Sequence, residues 1–386
     1  MRFQALVGTI AALVLLTCAA CADEATDRVI ARIEGAYDPD AKGDDGRTLA
    51  DLMKRYKVPG VSVAVISDFK IAWSKGYGIA DVATEKPVDS ETLFQAASIS
   101  KPVNAMAVLK AIQDGKFGLD DDINSVLTSW TLPENEFTKI RKVTPRMLMS
   151  HTSGTDDGFG FPGYRPDTPR PTLVQILDGA EPSNVGPVRV GWEPFTRSKY
   201  SGGGVVMMQL ALMDAVGLPY AEIMQDYVLG PAGMTHSTFA QPLPPELDDN
   251  AARAHISGKA KDAKWHVYPE QAAAGLWTTA ADLCKFAIEV QLSLKGEANH
   301  VLSQDSVREM VTPVGIGGYG VGWRVQQSRG EWLFGHGGNN WGFISNVVAH
   351  REKGFGMAVM TNSSGGRAIT RAIQKRISRA YEWGNK

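Results

Sequence analysis

Only three cysteines occur in the 386 residues, and two of them, Cys18 and Cys21, fall in an apolar N-terminal stretch. Cys284 is left alone in the body, so no internal disulfide can form there. It lies in the amphipathic helical pattern Ala280-Ala-Asp-Leu-Cys-Lys-Phe-Ala287, where a thiol reads as a small buried hydrophobe. Charge of one sign is equally scarce. Forty Lys and Arg against 42 Asp and Glu leave a formal net charge of -2, which excludes the clustered basic excess that gathers nucleic acid. The seven histidines show no metal-ligand spacing, and Asp120-Asp121-Asp122 lacks the glycine and closing glutamate of a calcium loop. No metal and no cofactor are expected. With 44% hydrophobic residues and 21% charged, the chain has the means to bury a large core.

The longest apolar run, Ala5 to Leu16, is too short for a permanent bilayer span. With Arg2 before it and Thr17-Cys-Ala-Ala-Cys-Ala22 after it, it reads as an export signal over residues 1–22, cleaved after Ala22 through the small residues Ala20 and Ala22. The protein is therefore expected to be exported, to the periplasm. The stretch Ala19-Ala20-Cys21 also resembles a lipoprotein signal, although Cys18 stands where such signals usually carry Leu. Membrane attachment is expected only if Cys21 is lipidated.

A polar lead-in over 23–45 precedes one unit over 46–386. Val61–Ile66 and Ile71–Gly78 alternate about a tight turn and predict an antiparallel hairpin. Pro102 to Gly115 is apolar on most sides with a glycine stop, the mark of a buried helix. Residues 145–265 read as helical pieces broken by Gly and Pro, clearest over Gly204–Val216. Strand patterns return at Val321–Gln326, Glu331–Gly335, Phe343–His350 and Phe355–Thr361. A last helix carries Ile369, Ile373 and Ile377 on one stripe, and its Arg371, Lys375, Arg376 and Arg379 read as a solvated face. The fold class is α+β: an antiparallel sheet built from N- and C-terminal segments (46–144 and 266–386), flanked by helices, with an all-α insertion over 145–265.

Ser-x-x-Lys occurs twice. Ser67-Asp-Phe-Lys70 fills the hairpin turn and is ordinary turn chemistry. Ser98-Ile-Ser-Lys101 opens the buried helix, where an i, i+3 spacing brings hydroxyl and amine to one face. Burial and the helix N-terminus both disfavour the ammonium form of Lys101, so it can take the serine proton, while backbone N–H groups there can steady an oxyanion. A capping serine beside a surface lysine is the plainer alternative. Tyr200-Ser-Gly202 precedes the next clear helix and offers either a proton-relaying phenol or a core tyrosine. His336-Gly-Gly-Asn339 ends a strand, and its glycines fit a close ligand approach or a simple turn. Two decoys fall away: Gly60-Val-Ser-Val-Ala64 lacks the last glycine of a nucleophile elbow, and Gly315-Ile-Gly-Gly-Tyr-Gly320 precedes a strand where a dinucleotide fingerprint would follow one.

In their order, Ser98-Ile-Ser-Lys101, Leu148-Met-Ser-His-Thr-Ser-Gly154, Tyr200-Ser-Gly202 and His336-Gly-Gly338 resemble the serine β-lactamase and penicillin-binding superfamily, in its class C branch with D,D-carboxypeptidases, D-aminopeptidases and carboxylesterases. The resemblance implies a hydrolase of esters or amides, acting on a small-molecule or peptide substrate through an acyl-enzyme. Ser98 would be its nucleophile, Lys101 the base and Tyr200 the proton relay. The backbone N–H groups of Ser98 and Asn339 would form the oxyanion hole, with His336 and Gly338 binding substrate. It implies no catalytic role for Leu148–Gly154 and names no protein partner. The chain departs from the class C pattern at Gly202, where that pattern has Asn, and at His336, where it has Lys. A histidine there is expected to be mostly neutral at pH 7 unless its site raises its pKa, so poor β-lactam turnover follows; if His336 must be protonated to hold a substrate carboxylate, the kcat/KM for that substrate would fall as pH rises through its pKa. The competing class is a catalytically impaired penicillin-binding protein or a sensor of cell-wall fragments.

Overall fold

The computed structural model describes residues 24–158 and 160–383. The expected export signal lies outside them, as does the proposed lipid site at Cys21. Among the described residues, eleven strands run in chain order as β1 (Gly60–Ser67), β2 (Lys70–Asp81), β3 (Lys86–Pro87), β4 (Phe94–Gln95), β5 (His255–Ile256), β6 (Lys259–Ala260), β7 (Trp277–Thr278), β8 (Arg324–Ser328), β9 (Glu331–Asn340), β10 (Phe343–His350) and β11 (Gly356–Thr361). Seven form one antiparallel sheet in the order β3-β2-β1-β11-β10-β9-β8. Early and late strands meet where β1 pairs with β11, from Val61 opposite Thr361 to Ile66 opposite Gly356. That joining is what alternation at both ends of the sequence predicts.

Chain contacts divide the described residues into two compact units, residues 57–370 and residues 24–56 with 371–383. In the larger unit the helix Ala280–Lys295 packs across β1, β2, β10 and β11, burying Cys284. Burial pushes that thiol's pKa up, as expected of a core cysteine. The helix Ser100–Gln113 is buried at most positions, which accounts for its apolar character on nearly every side. Within 145–265 the longest helix is Gly202–Val216. Ser201 caps it by accepting from Gly204 N (2.8 Å), and Gly217 closes it at φ 79°. The paired β5 and β6 are the strand residues of this segment among those described.

Two strand boundaries differ from expectation for steric reasons. β8 starts at Arg324 because Gly322, at φ +93°, turns the chain against the buried helix: a Cβ there would stand 2.4 Å from that of Ala105. β9 runs on through His336-Gly-Gly-Asn to Asn340, so these glycines lie within the strand, not after it.

In the smaller unit a helix over residues 24–34 is followed by turns and the helix Leu49–Tyr56. The basic run of the last helix is not wholly solvated. Arg376 is buried and donates to the carbonyls of Ile33 (2.9 Å), Gly35 (2.8 Å), Asp44 (3.0 Å) and Arg47, satisfying four backbone acceptors.

Candidate active site

Ser98 sits in a short 3-10 turn, Ala97–Ile99, that leads into the helix Ser100–Gln113. Ala97 adopts φ 53°, a left-handed conformation that costs a non-glycine residue about 1–3 kcal/mol and persists only where the surroundings over-determine it. Those surroundings can be named. Ser100 Oγ donates to Ala97 O (2.6 Å) and accepts from Leu276 N (3.0 Å), Ala96 N donates to Leu276 O (2.9 Å), and Ser345 Oγ donates to Ala96 O (2.7 Å). The inner serine of Ser-x-Ser-Lys is thus a clamp on the turn that carries the outer one.

Lys101 is 2% exposed, and its Nζ lies 3.1 Å from Ser98 Oγ while donating to Ala273 O at 2.7 Å. Burial pulls its pKa down to about 7, opposed by the charge of Asp157. The plainer reading of a surface lysine does not hold. Tyr200 is hydrogen-bonded to Ser98, its ring centroid is 5.0 Å from Lys101 Nζ, and burial raises its pKa, so it stays a phenol. Ser98, Lys101 and Tyr200 therefore converge, as expected.

β8 pairs with β9 only from Glu331 to Gly335. Among the described residues no strand covers the next five positions of β9 on that side, and the Ser98 turn approaches there. Gly338 makes the approach possible, since a Cβ on it would stand 2.1 Å from Ala96 O and 3.0 Å from Ala97 Cβ. Asn339, the residue expected to give an oxyanion N–H, follows it, opposite Ile344 of β10.

His336 is neutral at pH 7, as the ordinary pKa of a histidine leads one to expect, and it stays so far below that pH. It is 6% exposed, and burial, followed by the nearby charge of Lys101, takes its pKa down to about 3. Its Nδ1–H donates to Gly337 O (2.7 Å), which leaves Nε2 as a bare acceptor with no partner among the described residues. A neutral acceptor repels a carboxylate. Arg324 is an exposed cation in this region, opposite Gly335 in the β8–β9 ladder, and close enough for its charge to add to the lowering of the His336 pKa and to oppose the burial that raises that of Tyr319. No described carboxylate pairs with it.

Sequence reasoning passed over four further groups. His151 packs against Tyr200 at 4.4 Å between centroids with the rings tilted by 40°, and its Nδ1 accepts from Ser201 N (3.3 Å), which fixes its proton on Nε2. Tyr319 meets His151 edge-on at 4.7 Å and lies 6.2 Å from both Tyr200 and His336. Asp157 accepts from Ser201 Oγ and from Gly203 N (2.8 Å), anchoring the Tyr-Ser-Gly turn. Where the class C pattern has an amide at position 202, the ring of Phe161 fills the space: a Cβ on Gly202 would stand 2.7 Å from its Cε2. The signal for Tyr319 is its flanking glycines, Gly318 and Gly320. Nothing local marks Asp157.

Glu270 precedes the short helix Gln271–Ala274 that supplies the Ala273 carbonyl to Lys101. Its carboxyl oxygens are buried without partners among the described residues, and burial raises its pKa to about 8. Because the folded state then holds the proton more tightly than the unfolded one, this residue's contribution is full below pH about 4.5 and is lost as pH rises towards 8. Urea unfolding of Glu270→Gln at pH 5 and pH 8 is expected to show less loss of stability between the two than the wild type shows.

The chain matches the model of the family described as Beta-lactamase over residues 46–380. It is 28% identical over 254 residues to a β-lactamase of Escherichia coli (strain K12), covering 64% of this chain and 60% of that protein, so it spans less than two thirds of that relative. It is 25% identical over 328 residues to penicillin-binding protein 4 of Amycolatopsis lactamdurans, covering 81% of this chain and 82% of that one. The octameric penicillin-binding protein homologue of Pyrococcus abyssi superposes with a TM-score of 0.69 at 25% identity, over 87% of this chain and 76% of that chain. With the sheet, the helices around it and a family match that takes in Ser98, Lys101, Tyr200 and His336, this chain belongs to the beta-lactamase family of serine hydrolases.

Proposed function

We propose that this protein hydrolyses an ester or amide by acyl transfer to Ser98, on a substrate whose carboxylate is held by Arg324. The observation that carries the reading is the buried Lys101 amine 3.1 Å from Ser98 Oγ. Neutral Lys101 takes the hydroxyl proton as Oγ attacks the substrate carbonyl carbon, and the backbone N–H groups of Ser98 and Asn339 receive the oxyanion. The proton passes through Tyr200 to the leaving oxygen or nitrogen as the C–O or C–N bond breaks. Water then repeats the sequence, giving its proton up along the same path and releasing the acid from Ser98. Simple esters fit this site better than penicillins, because neutral His336 and Gly202 remove the charge and the amide of the class C pattern, while a peptide ending in a D-amino acid depends on Arg324 for its carboxylate. The N-terminal sequence supports action outside the cytoplasm.

Intact mass after mixing with a p-nitrophenyl ester, and separately with a fluorescent penicillin, tests the reading. A transient adduct that maps to the Ser98 peptide and clears with product release is expected. A lasting adduct without turnover would make the protein a sensor, and no adduct with either compound would remove acyl transfer altogether.

The substrate carboxylate has its own test. Losing a hydrogen bond to a charged group costs about 1.5–3 kcal/mol, so Arg324→Ala is expected to cut the kcat/KM ratio of a carboxylate substrate to its neutral ester by roughly 10–100-fold. Because His336 is already neutral above about pH 3, that ratio is not expected to fall through the neutral range. The fall expected from the sequence required a protonated His336.

A further inference from the structure

We infer that Phe161, His266 and Trp341 form an aromatic wall on the acyl side of Ser98 that selects acyl groups bearing an aryl ring; this rests on the acyl-transfer reading above. β9 serves as the ruler. Arg324 stands opposite Gly335, the Ser98 turn meets Gly338, and Trp341 follows the last strand residue, Asn340. At about 3.4 Å per residue, Arg324 and Trp341 lie roughly 10 Å to either side of the reacting centre. A substrate with its carboxylate at Arg324 and its carbonyl at Ser98 therefore directs its acyl group towards Trp341.

The rings there are fixed as a set. His266 and Trp341 are half-buried and stack at 4.1 Å with 2° between their planes. One carbonyl ties them to the neighbouring loop: Pro162 O accepts from His266 Nδ1–H (3.0 Å) and from Tyr268 Oη (3.5 Å), while Trp341 N donates to that same Tyr268 Oη (3.0 Å). Phe161, adjacent to Pro162, is the ring packed on Gly202, two residues from Tyr200. The backbone pairing of Tyr164 with Val267 holds the loop in place. Gln95 carries the connection to the nucleophile, donating to His266 O (2.8 Å) and accepting from Asn340 Nδ2 (2.9 Å) three residues before Ser98. Burial lowers the His266 pKa, so the stacked face is uncharged at neutral pH and suited to offset stacking with an aryl group.

The test compares p-nitrophenyl 4-phenylbutanoate with p-nitrophenyl butanoate, which differ only in the terminal ring, on wild type, Trp341→Ala and Phe161→Ala. The kcat/KM ratio is expected to favour the phenyl ester by about tenfold in the wild type and to drop towards one in Trp341→Ala. Reading a ratio within each variant removes any common loss from misfolding, and Phe161→Ala repeats the measurement from the loop side. Equal acylation of Ser98 by the two esters in the wild type, or a ratio unmoved in both variants, would overturn the wall and leave acyl transfer standing. Failure of both esters to acylate Ser98 would overturn the wall and acyl transfer together.

Discussion

Lys101→Met is expected to give a folded protein whose kcat/KM is reduced by about 10³-fold, within the range typical of losing a general base. Ser98→Ala, which removes the nucleophile itself, is expected to end adduct formation. The physical case rests on what the amine has around it. An ammonium at Lys101 would need three acceptors, and the structure supplies the carbonyl of Ala273 and the hydroxyl of Ser98. A neutral amine is better served, with an N–H to the carbonyl and its lone pair turned to the serine proton. Methionine has similar length and no charge to desolvate, so the thermal midpoint is expected to hold or rise while activity disappears, a separation that calorimetry beside kinetics would show. The pH dependence follows from the same group. Its pKa is lowered to about 7, so the active, deprotonated form grows with rising pH, and wild-type kcat/KM is expected to climb through pH 7 and level off above it. A flat profile across that range would remove Lys101 as the base.

What was legible in the sequence were features that act locally or repeat. Alternation placed β1, β2, β10 and β11 within a few residues, and the all-round apolar helix after Ser98 announced its own burial. The ordered motifs located Ser98, Lys101 and Tyr200. How far the His336 pKa falls could not be read in the same way, because it depends on what surrounds the ring, and Tyr200, Tyr319 and the charge of Lys101 come from segments far apart in the chain. Arg324 was hidden for a related reason: an exposed arginine on a strand looks ordinary until pairing sets it opposite Gly335. Asp157 and Phe161 belong to a loop without periodic pattern, fixed by contacts with Ser201 and Gly202 from another segment.

Gly338→Ala, at a buried position of β9, is expected to damage activity far more than the same change at the exposed Gly337. The added methyl would lie 2.1 Å from Ala96 O, 2.2 Å from Ser345 Oγ and 3.0 Å from Ala97 Cβ. None of these yields cheaply. Ala96 O is main chain and already accepts from Ser345 Oγ, and Ala97 is held at a positive φ by Ser100. Relief must come from moving β9 away from the turn, which separates Asn339 from Ser98. Overpacking of this kind costs about 1–3 kcal/mol, and a shift near 1 Å between reacting groups can cost about 10² in rate. The expected result is a urea midpoint lowered accordingly and kcat reduced about 100-fold on every substrate, without the change in aryl or carboxylate preference foreseen for Trp341 and Arg324. Gly337→Ala is the control on stability, since its methyl would meet nothing nearer than Asn346 Nδ2 at 3.5 Å and β9 would keep its place. If Gly338→Ala keeps wild-type kcat, the close approach of β9 to the Ser98 turn is not what builds the oxyanion site, and the second N–H must be sought elsewhere.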